Sequence, residues 1–299
     1  MKSKNIFAIV FLFLALFVFQ VVQAGEPCQV TVSILPQKFF VNKIAGNLVK
    51  VSVMVAPGSN PATYEPRPTQ MKALIHSKIY FAVGAPFEKA WLNKIIKVSP
   101  GIQVVHTDQI IRKRRMDSNY LDITAQVKKQ ETCKQDTGLD PHIWLSPPLV
   151  KIQGSIIKAA LITIDPANKE TYEHNFKIFQ TEIDMLDSNI RKIFESRSAG
   201  AEFIVFHPCW GYFADAYGIK QVPIEIEGKE PSATKMAAFI NYARSKKIRF
   251  ILIQPQFPTK DAETIAKETG AQIVVADPLA EDWMKNLSEV AVKINRALN

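Results

Sequence analysis

Short apolar runs rich in β-branched residues alternate with longer amphipathic segments along most of the chain. The short runs predict strands at 29–34, 49–55, 79–83, 102–106, 203–206, 221–226, 250–253 and 272–275. The longer segments have apolar residues at every third or fourth position, which predicts helices at 37–45, 69–76, 87–97, 147–164, 210–217, 233–246, 259–269 and 282–298. Such alternation is typical of parallel sheets covered by helices, so the predicted fold class is α/β with two lobes.

One amphipathic segment is much longer than the others. Residues 168–195 contain no proline or glycine, and their apolar positions include Phe176, Phe179, Ile183 and Leu186. This pattern predicts a single helix of about eight turns. We expect this helix to act as a rigid strut between a first lobe (residues 25–167) and a second lobe (198–299), with residues 168–197 as the link.

The first 24 residues have the pattern of a secretory signal peptide. Lys2 and Lys4 precede an unbroken apolar run at 6–19, and small residues follow at the usual cleavage positions. The run is shorter than the roughly 20 residues of a membrane-spanning helix. Glu26 and Pro27 precede Cys28 where a lipidated cysteine needs small residues. We therefore predict cleavage after Ala24 and a soluble, periplasmic, monomeric mature protein.

Charge and cysteine content exclude some classes of protein. The net charge of +9 is scattered, and the dense basic cluster at 112–115 has no accompanying nucleic-acid motif. We interpret it as part of a long polar surface loop at 112–139, so no nucleic-acid partner is expected. Three cysteines are too few for a disulfide framework, and the pairing of any two of them stays open.

Three side chains that could bind a metal follow predicted strands or precede a predicted helix. His207 comes directly after the strand 203–206, Asp277 follows the strand 272–275, and His142 precedes the helix that begins near Pro147. Ligands in open α/β sheets bind at the carboxyl ends of strands. Imidazole and carboxylate groups together suit a divalent transition metal, zinc first. Each residue alone also has an ordinary explanation as a capping, packing or turn residue.

Several short motifs, in order and spacing, give the chain a specific resemblance. They stand at 33–37, 44–46, 64–68, 84–88, 140–144, 207–213, 228–232 and 277–279. With these motifs the mature sequence resembles the zinc/manganese solute-binding proteins of ABC transporters, the TroA-like group with a chelatase-like fold. The resemblance implies two lobes joined by one rigid helix, a metal held between them and delivery to a membrane permease.

The resemblance also implies which residues bind the metal. His142, His207 and Asp277 match ligand positions of the family, and His207, where some members have glutamate, favours zinc over manganese. The family's first histidine ligand corresponds to Ala62, which cannot bind a metal. Water, or a substitute from Cys133, Cys209 or Glu65, would then complete the site. A site that has diverged to bind a metal chelate or a non-metal solute is the third alternative.

A zinc hydrolase is a further alternative from a different class. Two histidines and one carboxylate with an open position resemble a catalytic zinc site. A hydrolase would also need a general base, for which Glu225, Glu227 and Glu230 are candidates by sequence position only. The prediction is therefore a binding protein, and Zn²⁺ is expected as transported ligand, with Mn²⁺ or another divalent metal as the alternative.

Overall fold

The computed structural model describes residues 27–117, 138–225 and 232–298. The predicted signal peptide, its cleavage point after Ala24 and Cys133 lie outside these ranges, as does most of the predicted loop at 112–139. Among the described helices, none combines the length and the apolar character that crossing a bilayer requires.

The first lobe is built on a parallel sheet with the strand order β2-β1-β3-β4. Its strands are β1 (Cys28–Val32), β2 (Val49–Val53), β3 (Ser77–Ala82) and β4 (Gln103–His106). The intervening helices are α1 (Leu35–Ala45), α2 (Pro68–Ala73) and α3 (Pro86–Val98), and a 3₁₀ turn at Leu74–His76 extends α2. Each of these helices has a proline in its first turn, where the missing N–H removes no helical hydrogen bond.

Two consecutive helices lie between the two sheets along the chain. A 3₁₀ turn at Ile143–Leu145 leads into α4 (Pro147–Ile164), and a second 3₁₀ turn at Pro166–Asn168 leads into α5 (Lys169–Phe194). The buried side chains of α5 recur at three- and four-residue intervals, as the apolar pattern predicted, at Phe176, Phe179, Ile183, Leu186 and Ile190. The predicted long helix is therefore confirmed.

The second lobe repeats the arrangement of the first, with the strand order β6-β5-β7-β8 and parallel pairing. Its strands are β5 (Glu202–Val205), β6 (Lys220–Pro223), β7 (Phe250–Ile253) and β8 (Gln272–Val275). Its helices are α6 (Gly211–Tyr217), α7 (Ala233–Ser245), α8 (Lys260–Thr269) and α9 (Trp283–Ala297). The predicted two-lobed α/β fold is confirmed.

The hydrophobic core does not divide at the boundary between the lobes. One cluster of buried side chains runs from the first lobe through α5 to α9, while a smaller cluster lies under α7 and α8. Trp283, the first residue of α9, packs edge-on against Phe40 of α1 with ring centroids 5.2 Å apart. The last helix thus contributes to the packing of the first lobe.

Two tryptophans link the lobes through one hydrogen bond each. The Trp144 indole donates to the carbonyl of Pro278 at 2.8 Å, and the Trp283 indole donates to the carbonyl of Trp144 at 2.7 Å. Both indoles are buried. A hydrogen bond shielded from water is costly to break without a replacement partner, so this pair fixes the second lobe against the segment that carries His142.

Candidate functional site

A cavity of about 530 Å³ lies between the lobes, and residues from both lobes line it. The first lobe and the segment before α4 contribute Asn60, Pro61, Ala62, Thr63, Ala85, Pro86, Met116, Asp117, Gly138, Pro141, His142 and Trp144. The second lobe contributes His207, Pro208, Glu225, Gln256, Phe257, Pro258, Pro278 and Leu279. The site was predicted between the lobes, with its second-lobe ligands after β5 and β8. The cavity lies between the lobes and includes two of the predicted ligands, His142 and His207.

His142 is held from behind by a buried carboxylate. Asp140 Oδ1 accepts a hydrogen bond from the His142 backbone N–H at 2.9 Å and lies 2.8 Å from the ring nitrogen Nδ1. Asp140 is fully buried. With Nδ1 donating to the carboxylate, the Nε2 lone pair of His142 is left for a metal, which is the usual arrangement of a metal-binding histidine.

His207 has the same arrangement on the opposite wall. It follows β5, its Nδ1 lies 2.9 Å from Glu225 Oε2, and its backbone N–H donates to Gln254 Oε1 at 3.0 Å. Its ring stacks on Phe257 with centroids 4.3 Å apart. Burial lowers the pKa of His207, and the hydrogen bond to Glu225 opposes that shift. The neutral imidazole favoured by burial is the form that binds metals.

The two imidazoles meet edge to face at the cavity. Their ring centroids are 5.3 Å apart and the ring planes meet at 74°. Two histidines on different lobes, each fixed by a carboxylate at Nδ1, can present two Nε2 donors to one divalent transition metal. This pair is the part of the predicted ligand set that the structure brings together.

Asp277 follows β8 as predicted, but its side chain serves local contacts. Asp277 Oδ1 accepts hydrogen bonds from Gln256 Nε2 at 2.7 Å and from the Leu279 backbone N–H at 2.9 Å. Asp277 lines a neighbouring cavity of about 260 Å³, and Gln256 lines both cavities. Within the described ranges no three His, Cys, Asp or Glu side chains are grouped closely enough to hold one ion. The role of Asp277 as a ligand stays a prediction.

The candidates for a fourth ligand lie in different places. Ala62 is exposed and lines the cavity, so the position that the resemblance assigns to a ligand does face the site. Cys209 is fully buried next to Gln254, and burial raises the pKa of its thiol well above the ordinary value, which disfavours the thiolate that binds metals. Neither Cys209 nor the exposed Glu65 lines the cavity.

Arg114 belongs to the basic cluster that the sequence predicted to lie in a surface loop, but it lies behind His142 and is mostly buried. Arg114 forms ion pairs with Asp117 at 2.8 Å and Asp215 at 3.0 Å, and lies 3.7 Å from Asp140. A Cβ added to Gly211 would collide with this guanidinium, so the glycine permits the close approach. Arg114 therefore connects the acidic support of His142 to α6 of the second lobe.

The sequence also did not predict that Asp140 and Glu225 would hold the two histidines in place. Asp140 was part of a recognised motif, and Glu225 was considered only as a base for a hydrolase. The signal for Asp140 was local, since it stands two residues before His142. Glu225 follows β6, and only the strand order places β6 beside β5 and therefore Glu225 beside His207.

Comparison with known proteins gives a consistent result. A family model described as "ZnuA: Zinc-uptake complex component A periplasmic" matches residues 30–297. A crystal structure of ZnuA is 39% identical, with a TM-score of 0.82, covering 91% of this chain and 99% of that chain. The high-affinity zinc uptake system protein ZnuA of Bacillus subtilis is 28% identical over 263 residues, 85% of this chain and 79% of that protein. A putative metal-binding protein of Chlamydia muridarum is 26% identical over 267 residues, 88% of this chain and 89% of that protein.

Proposed function

The chain belongs to the family of periplasmic zinc-uptake components, and we propose that it captures a divalent transition metal, zinc in the first place, for delivery to the membrane permease of an ABC transporter. Because the family is one of transport components, the chain is a binding protein and not an enzyme. An iron ABC transporter substrate-binding lipoprotein of Streptococcus pyogenes is 27% identical over 236 residues, so metals other than zinc occur among its relatives.

One observation carries the proposal. His142 and His207 stand on opposite walls of one cavity with ring centroids 5.3 Å apart, and each has a carboxylate at Nδ1. Imidazole nitrogens select borderline metals such as zinc over magnesium or calcium. We assign the two Nε2 atoms as ligands. Asp277 is the proposed third ligand, supported by its place after β8 and its bond to Gln256, which lines the cavity.

The finer organisation is proposed on the same basis. We assign residues 25–167 to the first lobe, 168–197 to the linking helix and 198–299 to the second lobe, with a mature chain that begins after Ala24. The mature protein is proposed to act as a monomer, because the metal site needs residues from the two lobes of one chain. Its partners are the permease and the metal ion.

Titration calorimetry with zinc tests the function. We expect one zinc ion to bind per protein, and the double variant His142→Ala/His207→Ala to lose binding. The matched control is His76→Ala/His174→Ala, which also removes two imidazoles but from exposed positions outside the cavity. If the wild-type protein binds neither zinc nor manganese, the proposed function is wrong. Equal loss in both double variants would show that the cavity is not the binding site.

A further inference from the structure

One network of hydrogen bonds and ion pairs joins the segments that carry the two histidines. Arg114 donates two hydrogen bonds to Asp117, from Nη1 at 3.0 Å and from Nη2 at 2.8 Å. Asp117 Oδ2 also accepts from Gln221 Nε2 of β6 at 2.8 Å. The same Gln221 nitrogen donates to the carbonyl of Pro208 at 3.2 Å. The network therefore extends from Arg114 to the backbone immediately after His207.

The other end of the network is Asp140, the carboxylate that holds His142. Asp140 Oδ1 serves the backbone and the ring of His142, which leaves Oδ2 for other contacts. That second oxygen is buried without a hydrogen bond in the described part of the chain, and Arg114 Nη1 lies 3.7 Å from it. A buried carboxylate is costly unless an opposite charge is near it. Arg114 therefore stabilises the charged group to which His142 donates.

Contacts with α6 of the second lobe fix the position of Arg114. Its Nε atom lies 3.0 Å from Asp215 Oδ2, and its backbone N–H donates to the Tyr212 hydroxyl at 3.0 Å. That hydroxyl donates in turn to the carbonyl of Asp140 at 2.9 Å. Gly211 begins α6, and a Cβ at this position would meet both the guanidinium and Asp140. The guanidinium is thus held at one place between the lobes.

We propose that Arg114 is a positioning residue for metal capture, which sets the alignment of His142 with His207. Through Asp140 it holds the ring of His142, and through its hydrogen bonds on the other side it holds the segment after His207. Zinc requires ligand nitrogens at about 2.0–2.1 Å, so a shift of either support weakens binding without removing a ligand. The inference rests on the proposed function, because it concerns the same two ligands.

Titration calorimetry of the Arg114→Ala variant with zinc tests the inference. Loss of a group that orients a metal-binding histidine lowers affinity by about 10–100-fold, and we expect about tenfold because Arg114 acts one contact further out. Arg191→Ala is the matched control, since Arg191 also pairs with a carboxylate and lies over a tyrosine of α6, Tyr217. Its side chain is 53% exposed. An exposed pair contributes little, so we expect its zinc affinity to stay within about twofold of the wild type.

A second variant and a spectrum separate positioning from a loss of folding. Gly211→Ala keeps every charge and favours the helix, but its Cβ would displace the guanidinium. We expect its zinc affinity to fall by about tenfold as well, and this variant decides the matter if Arg114→Ala does not fold. The cobalt(II) absorption bands of Arg114→Ala should differ in position or shape from those of the wild type, because the ligands are no longer aligned.

The outcomes separate this inference from the proposed function. Wild-type zinc affinity in folded Arg114→Ala or in Gly211→Ala overturns the inference and leaves the proposed function intact. An equal fall in Arg191→Ala overturns it too, as does a cobalt(II) spectrum of Arg114→Ala with the wild-type shape and only a lower amplitude, which would mean that Arg114 supports folding alone. A wild-type protein that binds neither zinc nor manganese overturns both.

Discussion

Each lobe contains a buried glutamate near the carboxyl end of its sheet, and the two are used differently. In the first lobe, Glu88 accepts three hydrogen bonds, from the Ser33 hydroxyl at 2.6 Å and from the backbone N–H groups of Val83 at 2.9 Å and Gly84 at 2.8 Å. In the second lobe, Glu225 Oε2 accepts from His207, while Oε1 has no partner among the described residues. Both residues are almost fully buried.

The difference shows how the same architecture yields one structural and one functional carboxylate. The strand orders correspond, but the glutamates come from different places: Glu88 lies in the first turn of α3, and Glu225 follows β6. Each one hydrogen-bonds to a residue just after the first strand of its lobe, Ser33 or His207. Glu88 ties the end of β1 to the first turn of α3, and its acceptor capacity is used within the fold. Glu225 supports His207 through Oε2, and its buried Oε1 has no partner in the described part of the chain. Burial alone does not distinguish the two glutamates. The one with incomplete hydrogen bonding is the one that lies at the candidate site.

The largest expected effect is on the stability of the Glu88→Ala variant. Removal of the carboxylate leaves the backbone N–H groups of Val83 and Gly84 without their acceptor, while the Ser33 hydroxyl can still donate to the Phe81 carbonyl. We expect this loss to lower the free energy of unfolding by about 3 kcal/mol. Urea denaturation of the zinc-free protein measures this change. The fraction that remains folded should bind zinc with the stoichiometry of the wild type. A loss of less than about 1 kcal/mol would mean that Glu88 is not a structural carboxylate.

The Glu225→Ala variant should show the opposite pattern. His207 loses the acceptor that fixes its tautomer and ring orientation, so we expect zinc affinity to fall by about 10–100-fold. Stability should change less than in Glu88→Ala, because an unpartnered buried oxygen is removed together with the single hydrogen bond. Titration calorimetry gives the affinity. Glu225→Gln keeps an acceptor oxygen and should recover most of it; equal losses in both variants would argue against the positioning role.

The Ala62→His variant tests the first-lobe wall of the cavity. Ala62 lines the cavity, and an imidazole there would add a donor opposite His207. We expect affinity for free zinc to rise by about tenfold, which corresponds to about 1.4 kcal/mol. Competition with a zinc-binding dye measures the change, and Ala62→Gln provides a control of similar size. An affinity unchanged from the wild type would show that another group already occupies this coordination position.

The smallest expected effect concerns a contact at the surface between the lobes. Lys38 of α1 and Glu281, just before α9, form an ion pair whose side chains are 30% and 51% exposed. Exposed pairs contribute about 0–1 kcal/mol, so Lys38→Ala should lower the free energy of unfolding by less than about 1 kcal/mol. Urea denaturation at low and high salt measures it. A larger loss would mean that surface charge, rather than the paired tryptophans, holds the lobes together.

The sequence predicted the fold well because the apolar periodicity is strong. The helix at Pro147–Ile164 and the strands Phe250–Ile253 and Gln272–Val275 have the predicted bounds, and most other elements differ by one or two residues. The strand predicted at 221–226 differs more, because β6 ends at Pro223. Beyond Pro223 the backbone N–H groups of Ile224 and Glu225 still donate to the carbonyls of Val205 and Phe206, so the chain stays beside β5 for two more residues.

The site was predicted less completely for a physical reason. Motif spacing identified His142 and His207, which the cavity unites, but hydrogen bonds between distant segments decide what their neighbours do. Asp277 accepts from Gln256, and Glu225 pairs with His207 across two adjacent strands. Neither contact leaves a periodic signal in the chain. The order of strands in a sheet has to be known before such partners can be named.

The contact between Trp283 and Phe40 has a consequence for how the protein is made. A ribosome releases the first lobe long before α9, and until then the surface of Phe40 that Trp283 covers is open to water. Contacts between residues so far apart in sequence form slowly, because a long loop must close first. The first lobe therefore cannot complete its packing until the whole chain has been synthesised. For a member of a periplasmic family, that delay would keep the polypeptide loose while it is exported.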